Sequence, residues 1–211
     1  MNFDTVERSL ELISGELDKV EERRERILRE SRDVISLASK AIVSIHVGKL
    51  KEARSHLKSA NTLLEELKKV AVQDLHRYLV PPESEFVEAS VLYSIESEKG
   101  IPSCKDLGVA NTSYLLGLLD AVGEIKRAVY DRIRQGRTSE ALELFSIMER
   151  LYVLLSPFAV YDHVAQGVRR KLDVARILVE GTRSAVTEEI RRSEFMKSIE
   201  ELSGKLGSIS K

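Results

Sequence analysis

Asp120 and Glu124 lie inside the apolar stretch SYLLGLLDAVGEIKRAV, residues 113–129. Leu115, Leu116, Leu118, Leu119, Val122 and Ile125 make this stretch apolar almost all round, the pattern of a buried helix. Acids four residues apart share one helical face, so the two carboxylates converge on one small volume. Like charges brought together in a low dielectric force one group to protonate unless a cation is supplied. A metal ion is one such cation; a neighbouring Lys126, Arg127 or Arg132 is another, giving a structural salt bridge. Gly117 and Gly123 flank the acidic face. Each costs roughly 1 kcal/mol against Ala in a helix interior, so their presence predicts a close approach by something else.

A second acidic pair lies upstream in PPESEFVEASVLYSIESEKG. Glu83 and Glu85 follow prolines at a helix start, where acids favour the helix dipole. Glu88 stands one turn beyond Glu85 on the same face, among Phe86, Val87 and Leu92. The loop GIPSCKDLGVAN then leads to Thr112, a predicted N-cap for the next helix. A connection of that length predicts antiparallel neighbours, so that Glu85, Glu88, Asp120 and Glu124 meet across one interface. His46, His56, His76 and His163 all lie elsewhere. Oxygen donors without imidazole suit Mg²⁺ or Mn²⁺ and argue against zinc. Such an ion clamps a phosphodiester and generates hydroxide, which makes phosphate-ester hydrolysis the natural reaction class. No P-loop and no Ser or Cys nucleophile motif is present.

The elements that must position these acids are all helical. From Asp4 the apolar residues Phe3, Val6, Leu10, Ile13, Leu17 and Val20, then Ile27, Val34, Ala38, Ala41 and Ile45, keep a 3,4 spacing to Gly48. Arg24 and Ser31 break this seam. Within EERRERILRESR, Arg23, Arg26, Arg29 and Arg32 fall on neighbouring turns, either as a solvated face of ion pairs or as a phosphate-binding stripe. A second long helix is predicted from Lys49 to the stop at Pro81-Pro82, and a third from Pro82 or Glu83 to about Lys99. The spacing Gly48…Glu52-Ala53 recurs as Gly136…Glu140-Ala141, which predicts a helical hairpin in each half. Three further helices are expected, Ser139 to Leu155, Tyr161 to Glu180 and Thr182 to about Leu202, with Gly181 as a stop and residues 204–211 as a frayed tail.

The 211 residues are enough for one good core, and no strong linker divides them, so a single all-α domain over residues 1–203 is expected. A charged content of 32% beside 43% hydrophobic and 5% aromatic fits a soluble helical chain, and a net charge of -1 gives no global pull toward nucleic acid. The single cysteine, Cys104, allows no intrachain disulfide, as in a reducing compartment. No apolar run reaches the roughly 18 residues of a membrane span, and MNFDTVERS does not read as a signal peptide. The expected location is cytoplasmic, with no membrane partner.

The segments SRDVISLASKAIVSIHVG, KEARSHL, EFVEASVLYSI and SYLLGLLDAVGEIKR resemble the translin family, meaning translin and translin-associated factor X, over nearly the whole chain. EFVEA and LLGLLDAVGE look more like the catalytic factor X branch. The resemblance implies an elongated antiparallel bundle of about seven helices, assembly into hollow octamers, and Mg²⁺-dependent endoribonuclease action on single-stranded RNA inside the shell. The compact sequence looks like an archaeal-type, single-gene member, hence a homo-octamer. The family's catalytic acids carry over to Glu85, Glu88, Asp120 and, in support, Glu124, as both catalytic residues and metal ligands. Its RNA-contacting region maps to Arg29, Arg32 and Arg54. The alternative is a non-catalytic oligomer that binds single-stranded RNA or single-stranded DNA.

Overall fold

A computed structural model describes residues 3–209. Among them it contains seven α-helices, two 3₁₀ segments and no strand, an all-α fold as expected. The chain divides into two units, residues 1–117 and 118–211, with the division inside one helix.

The first unit is built on α1 (Asp4–His46), α2 (Leu50–Val70) and α3 (Val80–Glu96), which pack on one another. Helix α1 buries Ile27, Val34, Ala38, Ala41 and Ile45, and α2 meets it with Ala53, Leu57, Ala60, Leu64 and Leu67. The α1 seam from Ile27 onward follows the 3,4 periodicity read from the sequence, while its first half, from Phe3 to Leu17, is exposed. Between α1 and α2, Gly48 takes a left-handed φ of 76°. The Lys49 amide donates to Ser44 O at 2.8 Å and the Gly48 amide to Ile45 O at 2.9 Å, closing the helix end. Only glycine takes this backbone without strain.

Helix α2 does not run on to the prolines. It ends at Val70, and Gln73 adopts a φ of 56°, which an α-helix cannot absorb. A 3₁₀ segment, Gln73–Leu79, follows, and α3 then starts at Val80 with Pro81 and Pro82 inside its first turn. Proline is well suited there, because the first amides of a helix have no intrahelical acceptor. A short helix, α4 (Cys104–Leu107), follows; Ser103 and Asp106 cap it reciprocally, and those hydrogen bonds hold the Asp106 carboxyl below its ordinary range.

Helix α5 (Asn111–Arg134) begins in the first unit, at Asn111 and not after Thr112. Its first internal bond runs from the Tyr114 amide to Ala110 O at 2.9 Å, so Ala110 occupies the capping position.

The second unit contains residues 118–134 of α5, then α6 (Thr138–Leu155), a 3₁₀ segment (Ser156–Tyr161) and α7 (Val168–Ile209). Gly136 repeats the turn of Gly48, with φ 72° and the Arg137 amide on Arg132 O at 2.9 Å. The repeated Gly…Glu-Ala spacing therefore marks the same helix-ending geometry twice.

Helix α7 corrects two sequence expectations. It starts at Val168 and not at Tyr161, because Asp162 Oδ1 accepts from the Gly167 and Arg169 amides and caps the helix there. It also passes through Gly181 without stopping. Thr182 is fully buried and donates back to Leu178 O at 2.7 Å. The buried set Ala175, Val179, Thr182 and Val186 continues the helical seam across the glycine. The helix extends to Ile209; Ser210 and Lys211, also placed in the expected frayed tail, lie outside the described residues.

The stretch Thr138–Tyr161 is long and apolar enough, by length and composition, to cross a membrane. It carries Glu140, Glu143, Glu149 and Arg150, buries Ala141, Leu144, Phe145, Met148 and Leu151 on one face, and leaves Val153, Leu154, Val160 and Tyr161 exposed.

Candidate functional site

The deepest acid of α3 is Glu83, with no exposed surface. Its Oε2 accepts from Ser113 Oγ at 2.6 Å and from the Ala110 amide at 3.1 Å. In an ordinary capping box, an acid three residues into a helix bonds back to the capping amide. Here an acid from another helix fills that role, and Thr112 is not needed. Ser84 adds a second tie, its hydroxyl reaching Val80 O at 2.8 Å and Ser113 O at 3.3 Å. Sequence reasoning read Glu83 as a helix-dipole residue; its one distinguishing signal was its place beside an inward-facing proline and serine.

Gly117 explains why a helix former is absent there. A Cβ at this position would sit 2.5 Å from Ser84 O and 2.6 Å from Val87 Cβ, so the backbone of α3 occupies that space. Gly123 differs. A Cβ there would meet only Leu178 Cδ1, at 3.9 Å. The close approach expected at both glycines occurs at Gly117 alone.

Glu85 and Glu88 are half-buried in the first unit. Asp120 and Glu124 are half-buried in the second. The Asp120 Oδ1 atom is bonded to Lys171 Nζ, 51 residues away on α7. Of the cations near in sequence, Arg127 approaches Glu124 Oε2 at 3.9 Å. Arg132 instead binds Glu140 at 3.0 Å, and Lys126 lies over the Tyr130 ring at 5.6 Å. An open cleft of about 310 Å³ surrounds Asp120, lined by Leu119, Gly123, Arg170, Lys171, Val174 and Leu178. Among the described residues, no three His, Cys, Asp or Glu side chains form a group that could by themselves hold a metal ion.

The basic candidates lie on the surface of the first unit. Arg29 is 75% exposed, with only a long 3.9 Å approach to Glu30. Glu30 is taken by Arg26 at 2.9 Å, one turn earlier. Arg32 and Arg54 are exposed. Nearby, Ser36, Ser39, Lys40, Val43, Ser44 and His56 line a shallow depression of about 340 Å³ that contains no carboxylate.

Arg24, a residue that breaks the apolar seam, has a specific partner. Its Nε donates to Tyr78 Oη at 3.1 Å, and Arg77 donates to the same oxygen at 3.3 Å. Both guanidinium groups lie over the phenol ring, at 5.4 and 5.1 Å from its centre. The hydrogen bonds from Arg77 and then Arg24 lower the Tyr78 pKa, and the Arg24 pKa is raised chiefly by the same bond. The other seam breaker, Ser31, is buried, and its hydroxyl has no hydrogen-bond partner among the described residues.

Residues 22–182 match the sequence model of the translin family. The chain belongs to the translin family. The translin-family segment contains both acidic pairs, the three basic candidates and the Asp120–Lys171 contact. The chain is 32% identical to the uncharacterized protein MJ0175 of Methanocaldococcus jannaschii, over 84% of this chain and 82% of that one. Among solved structures it is similar to AfC3PO, determined alone and in a complex with duplex RNA. The complex has a TM-score of 0.80 and 31% identity, covering 87% of this chain and 97% of the other. AfC3PO alone has the same score and identity, with 98% of its chain covered. The apo form of NeC3PO, at 24% identity and a TM-score of 0.75, covers 85% of this chain and 96% of its own, and shares the fold.

Proposed function

We propose that this translin-family chain is an RNA-binding, metal-dependent endoribonuclease that works as a homo-oligomer. The observation that carries this reading is the similarity to AfC3PO, a protein captured with duplex RNA, over 87% of the chain. Duplex RNA therefore joins single-stranded RNA as a substrate to be tested. On the protein side, Arg29, Arg32 and Arg54 supply exposed guanidinium groups, which hold phosphates without reading sequence.

Glu85, Glu88, Asp120 and Glu124 are the proposed Mg²⁺ or Mn²⁺ ligands. The donor chemistry suits these ions, which prefer hard oxygen. Mg²⁺ keeps several waters and is bound through one or two carboxylates plus substrate phosphates, so it does not require three gathered acids. Asp120 already holds a cation in Lys171, as a ligand carboxylate must be able to do. When bound, the ion would polarise the phosphodiester and make a bound water nucleophilic.

The second reading is an RNA- or single-stranded-DNA-binding oligomer without catalysis. It is favoured by the same ion pair, since Lys171 neutralises Asp120 without any metal.

Incubating the purified chain with labelled single-stranded and duplex RNA, with Mg²⁺ or with chelator, separates the two. Metal-dependent cleavage that is lost in Glu88→Gln and in Asp120→Asn, with the fold and RNA binding retained, is the expected result. Binding with no cleavage under any condition would establish the second reading instead.

A further inference from the structure

Helices α1 and α2 border a shallow depression of about 340 Å³, lined by Ser36, Ser39, Lys40, Val43, Ser44 and His56. Every polar side chain in this lining can donate a hydrogen bond, and none is an acid. Helical serines elsewhere turn their hydroxyl onto the carbonyl one turn back, Ser84 onto Val80 O at 2.8 Å, Ser146 onto Leu142 O at 3.0 Å and Ser198 onto Glu194 O at 3.0 Å. Among the described residues, Ser36, Ser39 and Ser44 make no such bond and Lys40 makes no ion pair. Ser44 is the decisive member. It is only 7% exposed, and its hydroxyl has no hydrogen-bond partner among the described residues. A buried hydroxyl is normally hydrogen-bonded, so the partner of this one has to come from the depression it lines.

We propose that this depression is a phosphate site, in which Lys40, His56 and the three serine hydroxyls hold one phosphate of a bound RNA strand. The site rests on the reading of the chain as RNA-binding and adds a fixed position to it. Lysine supplies a compact positive charge, while the hydroxyls and an imidazole N–H donate to the phosphate oxygens. With no carboxylate in the lining, no like charge opposes the anion. The site also continues the arginine stripe. Arg32, Ser36, Lys40 and Ser44 recur every four residues on α1, so they run along one side of the helix over about 18 Å. Exposed arginines attract a phosphate chain without holding it at one point. Donors from two helices hold one phosphate in place, and contacts of that kind set the register of a bound strand. The phosphate is an internal diester or a monoester at a strand end, since both present the same oxygens.

The test measures binding of an internally labelled single-stranded RNA to the full chain by fluorescence anisotropy, across a salt series with chelator present. One sequence is used with and without terminal phosphates. Lys40→Gln is expected to weaken binding about tenfold at low salt and to lower the salt slope by about one. Ser44→Ala should also weaken binding about tenfold but leave the slope unchanged, because a neutral donor displaces no counter-ion. His56→Gln should weaken binding as well. Loss confined to the RNA with terminal phosphates assigns the site to a strand end, and equal loss with both RNAs assigns it to an internal phosphate. If circular dichroism shows that Ser44→Ala does not fold, Ser36→Ala/Ser39→Ala takes its place. Wild-type affinity in Ser44→Ala and His56→Gln, with loss in Lys40→Gln alone, would overturn the site and reduce it to one surface charge. Loss in Arg29→Ala/Arg32→Ala but in no variant of the depression would overturn the site and leave the RNA reading standing. A wild-type chain that binds neither RNA would overturn both.

Discussion

Ser113 donates its hydroxyl to Glu83 Oε2 at 2.6 Å, and through this contact a fully buried acid of α3 caps the start of α5. The same oxygen takes the Ala110 amide. Removing the carboxyl would strand the buried Ser113 hydroxyl and leave the part-buried Ala110 amide without its acceptor, the first a loss well above that of an exposed bond. Glu83→Ala is expected to cost about 2 to 4 kcal/mol and Ser113→Ala about 1 to 2 kcal/mol in urea unfolding. Glu85→Ala should cost less than Glu83→Ala. Equal stability of Glu83→Ala and wild type would show that α5 does not depend on this cap.

Two glycines on one helix should respond to alanine with opposite signs. At Gly117 the added methyl collides with the carbonyl of Ser84, so Gly117→Ala is expected to destabilise by about 1 to 3 kcal/mol despite the better helix propensity. At Gly123 the added methyl makes only an ordinary contact with Leu178 Cδ1 at 3.9 Å, so Gly123→Ala should stabilise by about 0.5 to 1 kcal/mol. Thermal melts of the pair decide the matter, and a gain at both positions would contradict the close helix approach at Gly117.

Phosphate contact by Arg29 and Arg32 predicts a particular salt dependence. Each arginine removed should lower the slope of log affinity against log salt by about one unit, with weaker RNA binding at low salt. The rival account pairs these arginines with Glu25, Glu30 or Asp33, yet Arg29 makes only the 3.9 Å approach to Glu30. An Arg29→Ala/Arg32→Ala chain with the wild-type slope would rule out the stripe and leave the carboxylates untouched.

An uncovered apolar seam runs from Phe3 into the first half of α1. Phe3, Val6, Leu10, Ile13 and Leu17 are 56, 52, 60, 50 and 61% exposed, an arrangement that soluble monomers avoid. The chain is therefore expected to form a homo-oligomer, with the octamer as the proposed size. Light scattering should report a multiple of the 23.8 kDa chain mass, reduced in Leu10→Lys/Leu17→Lys. A wild-type monomer at micromolar concentration would refute the assembly.

Features that act over a few residues were readable from the amino-acid order alone. The 3,4 seam of α1, the helix-ending turns at Gly48 and Gly136 and the close approach at Gly117 were legible, though the one also expected at Gly123 does not occur, because side-chain period and backbone freedom are local properties. Residue types also named the candidate chemistry, acids on helical faces and arginines on neighbouring turns. The stops were less legible. Gln73 ends the α2 region where no proline stands, and α7 passes through Gly181 because Thr182 is buried in a seam that continues beyond it. Partners chosen across the chain were not legible at all. Glu83 replaces Thr112 as the cap of α5, Tyr78 receives the arginine that breaks the α1 seam, and Lys171 reaches Asp120 in place of any cation nearby in sequence. Tertiary structure decides these because a hydrogen bond or ion pair forms between groups close in space, whatever their separation along the chain, and periodicity says which face a side chain takes but not what stands opposite it.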